Sequence, residues 1–454
     1  MSFEDFKQYK FNEDTFCPHP WVSFYPSPRG DIFPCCIAMK YRPPGKVDPD
    51  KSITEMMNTD AFKAMRLKLM NGERAKECSD CWIREDSNVR SDRNVMLEQA
   101  LKVKKRKDQL YDAVDRTNAD GSIDDYKVSY LEFRDNNICN YKCRFCNINS
   151  SNSWVKEWTE MERMHDAPPN INPKTGVSWS GMDWTKLDLH NLTNIHMAGG
   201  EPTAMDSTYW LLEHLIEIGR AKHVDIGIVS NSSRLVYKKK KILDLLSHFA
   251  WVNWSTSADA MGKAHDYLRS GGLDDWDKVE ANIFEIQDFI QNRVTNGKFK
   301  FHSTMNWNNA FQWWDMKRKL DIDNPNPINI EVFFSTGPDG HGINDCPTEV
   351  IERIYDFYKT KNNYKEVEQI LNMCEKWMPK DKETNDKRWM LLSRYKEEQI
   401  YLDWSRKQVW LDVFPEWKDI WLSIPLPPRV RTHTEVIQPM IDEQIANNPG
   451  KYFK

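Results

Sequence analysis

From residue 128 onward, the sequence alternates between short apolar, β-rich segments and segments with helical spacing. This pattern predicts six strands, over residues 128–135, 194–200, 223–231, 251–259, 298–307 and 328–335. Strands that are separated by helices pair in parallel through right-handed crossovers. The pattern therefore predicts an α/β fold. Because six units are fewer than the eight of a closed barrel, we expect a partial (β/α)6, TIM-like barrel.

Polar or glycine-rich residues follow the first four predicted strands. They are a cysteine cluster, Gly199-Gly200-Glu201, Ser230-Asn231 and Asp259, in chain order. Ligands of open α/β sheets and of barrels collect at the carboxyl ends of the strands. The coincidence of these features at four strand ends predicts a binding site at that edge of the sheet.

The chain has 454 residues, which is too long for one ordinary hydrophobic core. We expect a cysteine-rich module over residues 1–125, the partial barrel over 126–340 and a mainly helical extension over 341–454. The segment 165–190 is broken by proline and glycine and is predicted to be an irregular insertion. The lysine run at 238–241 is predicted to lie on a solvated helix surface.

The charge and hydropathy patterns argue against two classes of partner. The 63 basic and 68 acidic residues give a net charge of −5, which offers no electrostatic basis for binding nucleic acid or a membrane surface. No apolar run is long enough for a transmembrane helix, and the first residues lack the apolar core of a signal peptide. We therefore expect a soluble, cytoplasmic protein.

Ten cysteines in a reducing compartment are not expected to form a disulfide scaffold. Three of them, Cys139, Cys143 and Cys146, lie within eight residues directly after the first predicted strand. Three thiolates can hold three irons of a [4Fe–4S] cubane and leave the fourth iron without a protein ligand, open to a small molecule. The alternative interpretation is a structural zinc site that a remote thiol completes.

The spacing Cys139-x3-Cys143-x2-Cys146, with Phe145 just before the last cysteine, resembles the signature of the radical SAM enzymes. The sequence "GGEP" at 199–202 is similar to the glycine-rich motif of the same family, and the resemblance covers about residues 128–335. It implies that the three cysteines ligate a [4Fe–4S] cluster and that S-adenosylmethionine is the cofactor. It also implies that a 5′-deoxyadenosyl radical abstracts hydrogen from the substrate.

The resemblance implies further roles for residues around S-adenosylmethionine. Phe145 would lie against the adenine, and Gly199-Gly200-Glu201 would hold the amino group of the methionine part. Ser230 and Asn231 would contact the ribose or the carboxylate, and Arg269 is a candidate partner of the carboxylate.

A second group of cysteines lies in the first hundred residues. Residues 17–36 are predicted to form a hairpin with "PSPRG" as its turn. The group resembles the SPASM/twitch auxiliary-cluster module of radical SAM enzymes, although that module usually follows the barrel. The shorter twitch version implies one auxiliary [4Fe–4S] cluster on Cys17, Cys35, Cys78 and Cys81, and Cys36 is an alternative to Cys35. A zinc ribbon is the other interpretation.

The resemblance implies an enzyme, a radical SAM oxidoreductase or transformase. Its substrate would be a small molecule or a peptide, and a flavodoxin or ferredoxin would supply the electron. The rival from another class is a non-catalytic zinc protein whose cysteine sites are structural. Cys346 is interpreted as a buried free thiol, with a hydrogen donor or an extra ligand at the active site as the alternative, and Cys374 is assigned no role. Most of the 19 tryptophans are interpreted as core residues.

Overall fold

The structure is a computed structural model. It describes residues 14–86, 90–271, 273, 275–293, 296–335, 339–361, 364–427 and 434–453. The strands are β1 (Ser23–Pro26), β2 (Asp31–Phe33), β3 (Gly45–Lys46), β4 (Tyr130–Phe133), β5 (Asn194–Met197), β6 (Asp225–Ser230), β7 (Val236–Tyr237), β8 (Lys240–Lys241), β9 (Trp251–Thr256), β10 (Gly297–Met305) and β11 (Asn329–Phe334).

The helices are mostly short, with one exception of 25 residues near the carboxyl terminus. They are α1 (His19–Val22), α2 (Ile53–Met57), α3 (Asp60–Met70), α4 (Ser79–Asp86), α5 (Asp92–Lys102), α6 (Lys104–Asp115), α7 (Val155–Glu160), α8 (Asp206–Glu217), α9 (Ile242–Leu246), α10 (Gly262–His265), α11 (Trp276–Asp288), α12 (Ala310–Lys317), α13 (Thr348–Tyr358), α14 (Lys365–Trp377), α15 (Lys382–Arg406), α16 (Trp410–Val413), α17 (Lys418–Ser423) and α18 (Thr434–Asn447).

The chain divides into two compact units. The first comprises the described residues of 1–137, 178–228 and 244–253. In it, β4, β5 and β6 pair in parallel, and Glu132 lies opposite His196, which lies opposite Gly227. The amino-terminal strand β1 extends this sheet in parallel beside β4 and pairs antiparallel with β2. The unit is therefore a parallel sheet with an added amino-terminal hairpin.

The second unit comprises the described residues of 138–177, 229–243 and 254–454. Its strands β10 and β11 pair in parallel over six residues each. A large hydrophobic core contains residues of α11 to α17. The Trp410 and Trp421 rings stack at 4.0 Å, and Trp307 packs against Trp410 and Trp417. Aromatic side chains bury large apolar areas, so this group is a main source of the unit's stability.

The α/β class and all six predicted strands are confirmed, each within three residues of its predicted ends. The predicted hairpin is also confirmed, since β1 and β2 flank the turn at Gly30. The lysine run is solvent-exposed at residues 238–240, as predicted, but it is not helical: residues 240–241 form a strand that pairs with β7, because the chain turns at Lys238 and Lys239 with positive φ angles. The division into three domains stays a prediction.

Several smaller expectations concern buried side chains. Cys346 is a fully buried free thiol, as interpreted from sequence, and the Cys374 thiol is fully buried and free as well. The tryptophan pairs Trp154/Trp158 and Trp313/Trp314 are also buried in the core of the second unit. Among the helices that the structure describes, none is both long enough and apolar enough to cross a membrane.

Candidate functional site

The loop with three cysteines lies in the second unit and is held by backbone hydrogen bonds. The Cys146 N–H donates to the Cys143 carbonyl at 2.9 Å, which closes a tight turn around the last two thiols. The Cys139 N–H donates to Asn152 Oδ1 at 3.0 Å, and Ser153 donates to the Cys139 carbonyl at 2.7 Å. All three thiols belong to partly buried residues. The loop therefore has a defined conformation, and its three cysteines are partly exposed.

Burial raises the pKa of two of these thiols. It raises the pKa of Cys146 to about 12, with a further contribution from the negative charge of Cys143. It also raises the pKa of Cys143, although the positive charge of Arg269 opposes this effect. Thiolates at such a place need a bound cation, because a coordinated metal deprotonates a thiol. The donor set fits an iron–sulfur cluster of which the protein supplies three ligands.

Arg269 lies at the centre of the contacts around this loop. Its guanidinium forms two hydrogen bonds with the Asp259 carboxylate, at 2.6 and 2.9 Å. Its Nη1 lies 4.0 Å from Cys143 Sγ, and its Cζ lies 5.1 Å from the centre of the Phe145 ring. The structure thus brings together Cys143, Phe145 and Arg269, three of the residues singled out in the sequence. A π-helical turn over Asp266–Ser270 carries Arg269.

The predicted polar residues after the third strand contact the cysteine loop directly. Asn231 Nδ2 donates to Asn140 Oδ1 at 3.0 Å, and Asn140 Nδ2 donates to Ser233 Oγ at 2.8 Å. Asn231 Oδ1 accepts hydrogen bonds from the N–H and the hydroxyl of Ser233. Ser230 Oγ accepts the Ser232 N–H at 2.9 Å. Asn231 therefore fixes the loop through Asn140, a residue that the sequence pattern did not identify.

The glycine motif lies in the first unit and follows β5. Gly199 has φ +118°, a conformation that strongly favours glycine, and a Cβ there would lie 3.5 Å from Arg134 Cβ and from the Asn136 carbonyl oxygen. The Glu201 carboxylate is buried and accepts hydrogen bonds from the N–H and the hydroxyl of Thr203. Glu201 therefore caps the short helical turn Pro202–Ala204.

Four cysteines of the amino-terminal hairpin and its surroundings lie close together in the first unit. Burial, followed by the charges of Cys78 and Cys81, raises the pKa of the Cys17 thiol. Burial and the charge of Cys35 raise the pKa of Cys78 in the same way. The mutual effects show that these four thiols share one locality, with a donor set that suits a four-thiolate cluster.

The adjacent thiol of Cys36 has a different environment. Burial raises its pKa to about 12, and the next largest effects come from Glu132 and Arg134. Neighbouring residues of an extended chain point to opposite sides, so Cys35 and Cys36 face different groups. Among the residues that the structure describes, no three His, Cys, Asp or Glu side chains are arranged around one metal ion. In a cubane each thiolate binds its own iron, so its ligands need not converge on one point.

The carboxy-terminal helix α15 holds the cysteine loop through buried charges that the sequence analysis missed. Arg144, between the last two cysteines of the loop, donates to Asp403 at 2.8 Å and to Gln399 at 2.7 Å. Arg406 and the loop residue Lys142 share the carboxylate of Glu157. Residues 399, 403 and 406 lie on one helix face, and polar residues at this spacing, interleaved with apolar ones, are the signal that could have found them.

Comparisons with known proteins agree with this arrangement of cysteines. Residues 17–82 match the profile of the SPASM family, an iron–sulfur cluster-binding domain. The chain is also 22% identical over 236 residues to TigE of Paramaledivibacter caminithermalis, which is named a radical SAM cyclopropyl synthase. The chain is thus similar to a radical SAM enzyme, and its residues 17–82 match a SPASM domain. The match covers 51% of this chain and 47% of TigE, so the chain spans about half the length of this radical SAM relative.

Two solved structures resemble the chain weakly. One is anSMEcpe with bound AdoMet and Cp18Cys peptide, at 17% identity and a TM-score of 0.30, covering 51% of this chain and 60% of that one. The other is Streptococcus suis SuiB bound to the precursor peptide SuiA, at 12% identity and a TM-score of 0.29, covering 75% and 69% of the two chains. These TM-scores are too low to carry an argument about function.

Proposed function

We propose that the chain is a radical SAM enzyme in which Cys139, Cys143 and Cys146 hold a [4Fe–4S] cluster. The chemistry that this cluster and S-adenosylmethionine supply when bound is one-electron cleavage of the sulfonium, giving a 5′-deoxyadenosyl radical that abstracts hydrogen from the substrate. The observation that carries the proposal is the set of three partly buried cysteines on one loop whose conformation is held by hydrogen bonds on both sides. The relationship to radical SAM enzymes supports it.

The protein itself would bind, orient and protect the reacting groups. Arg269 would keep positive charge beside the thiolates, since Asp259 fixes its guanidinium 4.0 Å from Cys143 Sγ. Phe145 would present a flat apolar face to the adenine. Gly199 would allow close approach of the backbone to the cofactor's amino group, because a side chain there is disfavoured by its φ angle. Asn231 would maintain the loop and contact the cofactor.

We further propose that Cys17, Cys35, Cys78 and Cys81 hold one auxiliary [4Fe–4S] cluster. The proximity of the four thiols and the SPASM match over residues 17–82 support this assignment. The environment of Cys36 supports Cys35 as the ligand of the two neighbours. The domain division would then be an auxiliary-cluster module, a partial barrel and a helical extension. The substrate would be a small molecule or a peptide, and a flavodoxin or ferredoxin would supply electrons in the cytoplasm.

Anaerobic incubation of the reconstituted protein with S-adenosylmethionine and dithionite tests the proposal. We expect the wild type to release 5′-deoxyadenosine and the Cys139→Ala variant to release none. Cys374→Ala is the matched control, because this thiol is buried in α14 and belongs to neither cysteine group. Release of 5′-deoxyadenosine by Cys139→Ala at the wild-type rate would reject the proposal. Colourless protein with stoichiometric zinc would favour the rival, a structural zinc protein.

A further inference from the structure

One face of the parallel sheet in the first unit carries a group of charged side chains that no function above uses. Tyr130, Glu132 and Arg134 alternate along β4 and its continuation, so they lie on the same face. His196 of β5 lies directly opposite Glu132 in the register. A buried charge in the middle of a parallel strand is costly and needs partners. We call these four residues the Glu132 cluster.

Glu132 organises this cluster. Its Oε2 lies 3.0 Å from His196 Nδ1 and 3.5 Å from Arg134 Nε, so one carboxylate oxygen serves both side chains. Tyr130 donates to Oε1 at 3.4 Å. Burial alone would raise the pKa of the Glu132 carboxyl, but His196 and Arg134 outweigh burial and lower that pKa to about 2. Glu132 is therefore ionised and holds its two neighbours side by side.

Arg134 keeps donors to spare. Its guanidinium lies over the Tyr25 ring at 5.2 Å and its side chain is 20% exposed. Its only ion pair is the one with Glu132, and its buried Nε donates no hydrogen bond to any residue that the structure describes. A guanidinium has five N–H donors in a planar fork, which matches the two oxygens of a carboxylate. This fork is thus held in place without being used.

His196 is placed similarly. The Nδ1 atom of His196 is hydrogen-bonded to Glu132, and the His196 side chain is 30% exposed. The Nε2 atom of His196 therefore remains for a ligand. Gly227 lies opposite His196 on β6, and a Cβ at Gly227 would come within 3.3 Å of His196 Cδ2. The glycine therefore leaves room for the imidazole ring on this face of the sheet.

The cluster adjoins the four amino-terminal thiols. The His19 ring meets the edge of the Tyr130 ring at a centroid distance of 5.4 Å. The backbone N–H of the same His19 donates to the Cys17 thiol. A molecule bound at the Glu132 cluster would therefore lie near the proposed auxiliary site, within the same unit.

We propose that Arg134 and His196, both anchored on Glu132, bind a carboxylate group of the substrate. Arg134 supplies the charge and the paired donors, His196 supplies one further donor from Nε2 when its ring is protonated on both nitrogens, and Glu132 acts as a positioning residue. The proposal rests on the proposed function, since it names a chemical group of that enzyme's substrate. It applies equally to a carboxylic acid metabolite and to a carboxylate of a peptide, because the recognising chemistry is the same.

The test uses the full-length, reconstituted protein with histidine labelled for NMR, and the His196→Gln variant assigns the resonance of His196. The probe is succinate, with succinamide as the neutral analogue of similar shape. We expect succinate to shift the His196 resonance in a saturable manner and succinamide to leave it unchanged. We expect Arg134→Gln to raise the dissociation constant of succinate at least about tenfold. Lys127→Gln, which removes one positive charge from a surface pair with Asp125 in the same unit, should not weaken it.

Three results of the succinate titrations would overturn the proposal. They are an equal response to succinamide, an equal affinity in Arg134→Gln, and the absence of any saturable shift. If Arg134→Gln does not fold, Arg134→Lys replaces it, and we expect weaker binding because a single ammonium lacks the fork. Binding of S-adenosylmethionine should be unchanged in these variants. Its loss would show that the carboxylate belongs to the cofactor and would also overturn the proposal.

The outcome remains separable from that of the proposed function. Wild-type protein that binds succinate at His196 but releases no 5′-deoxyadenosine would reject radical chemistry and keep the carboxylate site. Release of 5′-deoxyadenosine without succinate binding would keep the radical chemistry and reject the carboxylate site. A carboxyl-terminal tetrapeptide and its amide then distinguish a peptide source from a small acid, since only the free carboxylate of a peptide substrate should compete with succinate.

Discussion

Arg144 Nη2 and Asp403 Oδ1 lie 2.8 Å apart, and the two side chains are 1% and 0% exposed. The same carboxylate accepts hydrogen bonds from the hydroxyls of Tyr267 and Tyr452 and from the N–H of Trp410. The pair joins the cysteine loop to helix α15, 259 residues further along the chain. The carboxy-terminal extension thereby becomes part of the support of the candidate active site.

Asp403→Asn should destabilise the protein by about 3–5 kcal/mol, because it leaves the buried guanidinium of Arg144 without its counter-charge. Denaturant unfolding of the anaerobic protein measures this loss. Asp412→Asn is the control, since Asp412 pairs with Lys451 at the surface and should cost less than about 1 kcal/mol. Equal losses of unfolding free energy in the two variants would show that the buried Arg144–Asp403 pair matters no more for stability than a surface pair.

Replacing both Cys78 and Cys81 by serine should lower the iron content from about eight to about four atoms per chain, because one of two cubanes is lost. Cleavage of S-adenosylmethionine should remain measurable, while turnover of the substrate should fall. Iron analysis and the visible absorption spectrum measure the first effect. Cys36→Ser should keep all of its iron. A loss of iron in Cys36→Ser equal to that of the double variant would contradict the assignment of Cys35.

The stability of the second unit should fall in acid because of His265. Burial lowers the pKa of His265 to about 3, and neither ring nitrogen has a hydrogen-bond partner among the described residues. The unfolded chain binds the proton near pH 6.5, so the contribution of His265 is complete above that pH and is lost as the pH falls towards 3. At pH 5 the loss is about 2 kcal/mol.

His265→Phe should remove this part of the pH dependence and keep the ring contacts with Tyr141 and Trp276. Urea unfolding of wild type and variant at pH 8 and pH 5 measures the difference. An unchanged difference between the two pH values would show that another group dominates acid destabilisation.

Trp410→Ala should cost about 3–5 kcal/mol, because the indole is fully buried and stacks on Trp421 at 4.0 Å. Thermal unfolding followed by circular dichroism measures the shift. Met390→Ala is the control, since Met390 is 55% exposed in the same unit and should change stability little. A comparable shift in both variants would mean that the tryptophan cluster can relax around the cavity.

Much of the fold and part of the candidate site could be predicted from local patterns. The six strands were found because alternation and apolar runs are local properties of ten or fewer residues. The two groups of cysteines were found because short spacings mark shared ligand sites. The prediction of a helix for the lysine run 238–241 was wrong, because charge alone does not distinguish a solvated helix from a hairpin turn.

The sequence by itself determined the α/β class, the amino-terminal hairpin and the two groups of thiols. Only the tertiary structure decided that Asp403 pairs with Arg144 and that Glu132 holds both Arg134 and His196. The physical reason is that periodicity and spacing are written along the chain. Partners of buried charges are chosen by packing between segments that are far apart in sequence, and no local pattern records which distant side chain satisfies them.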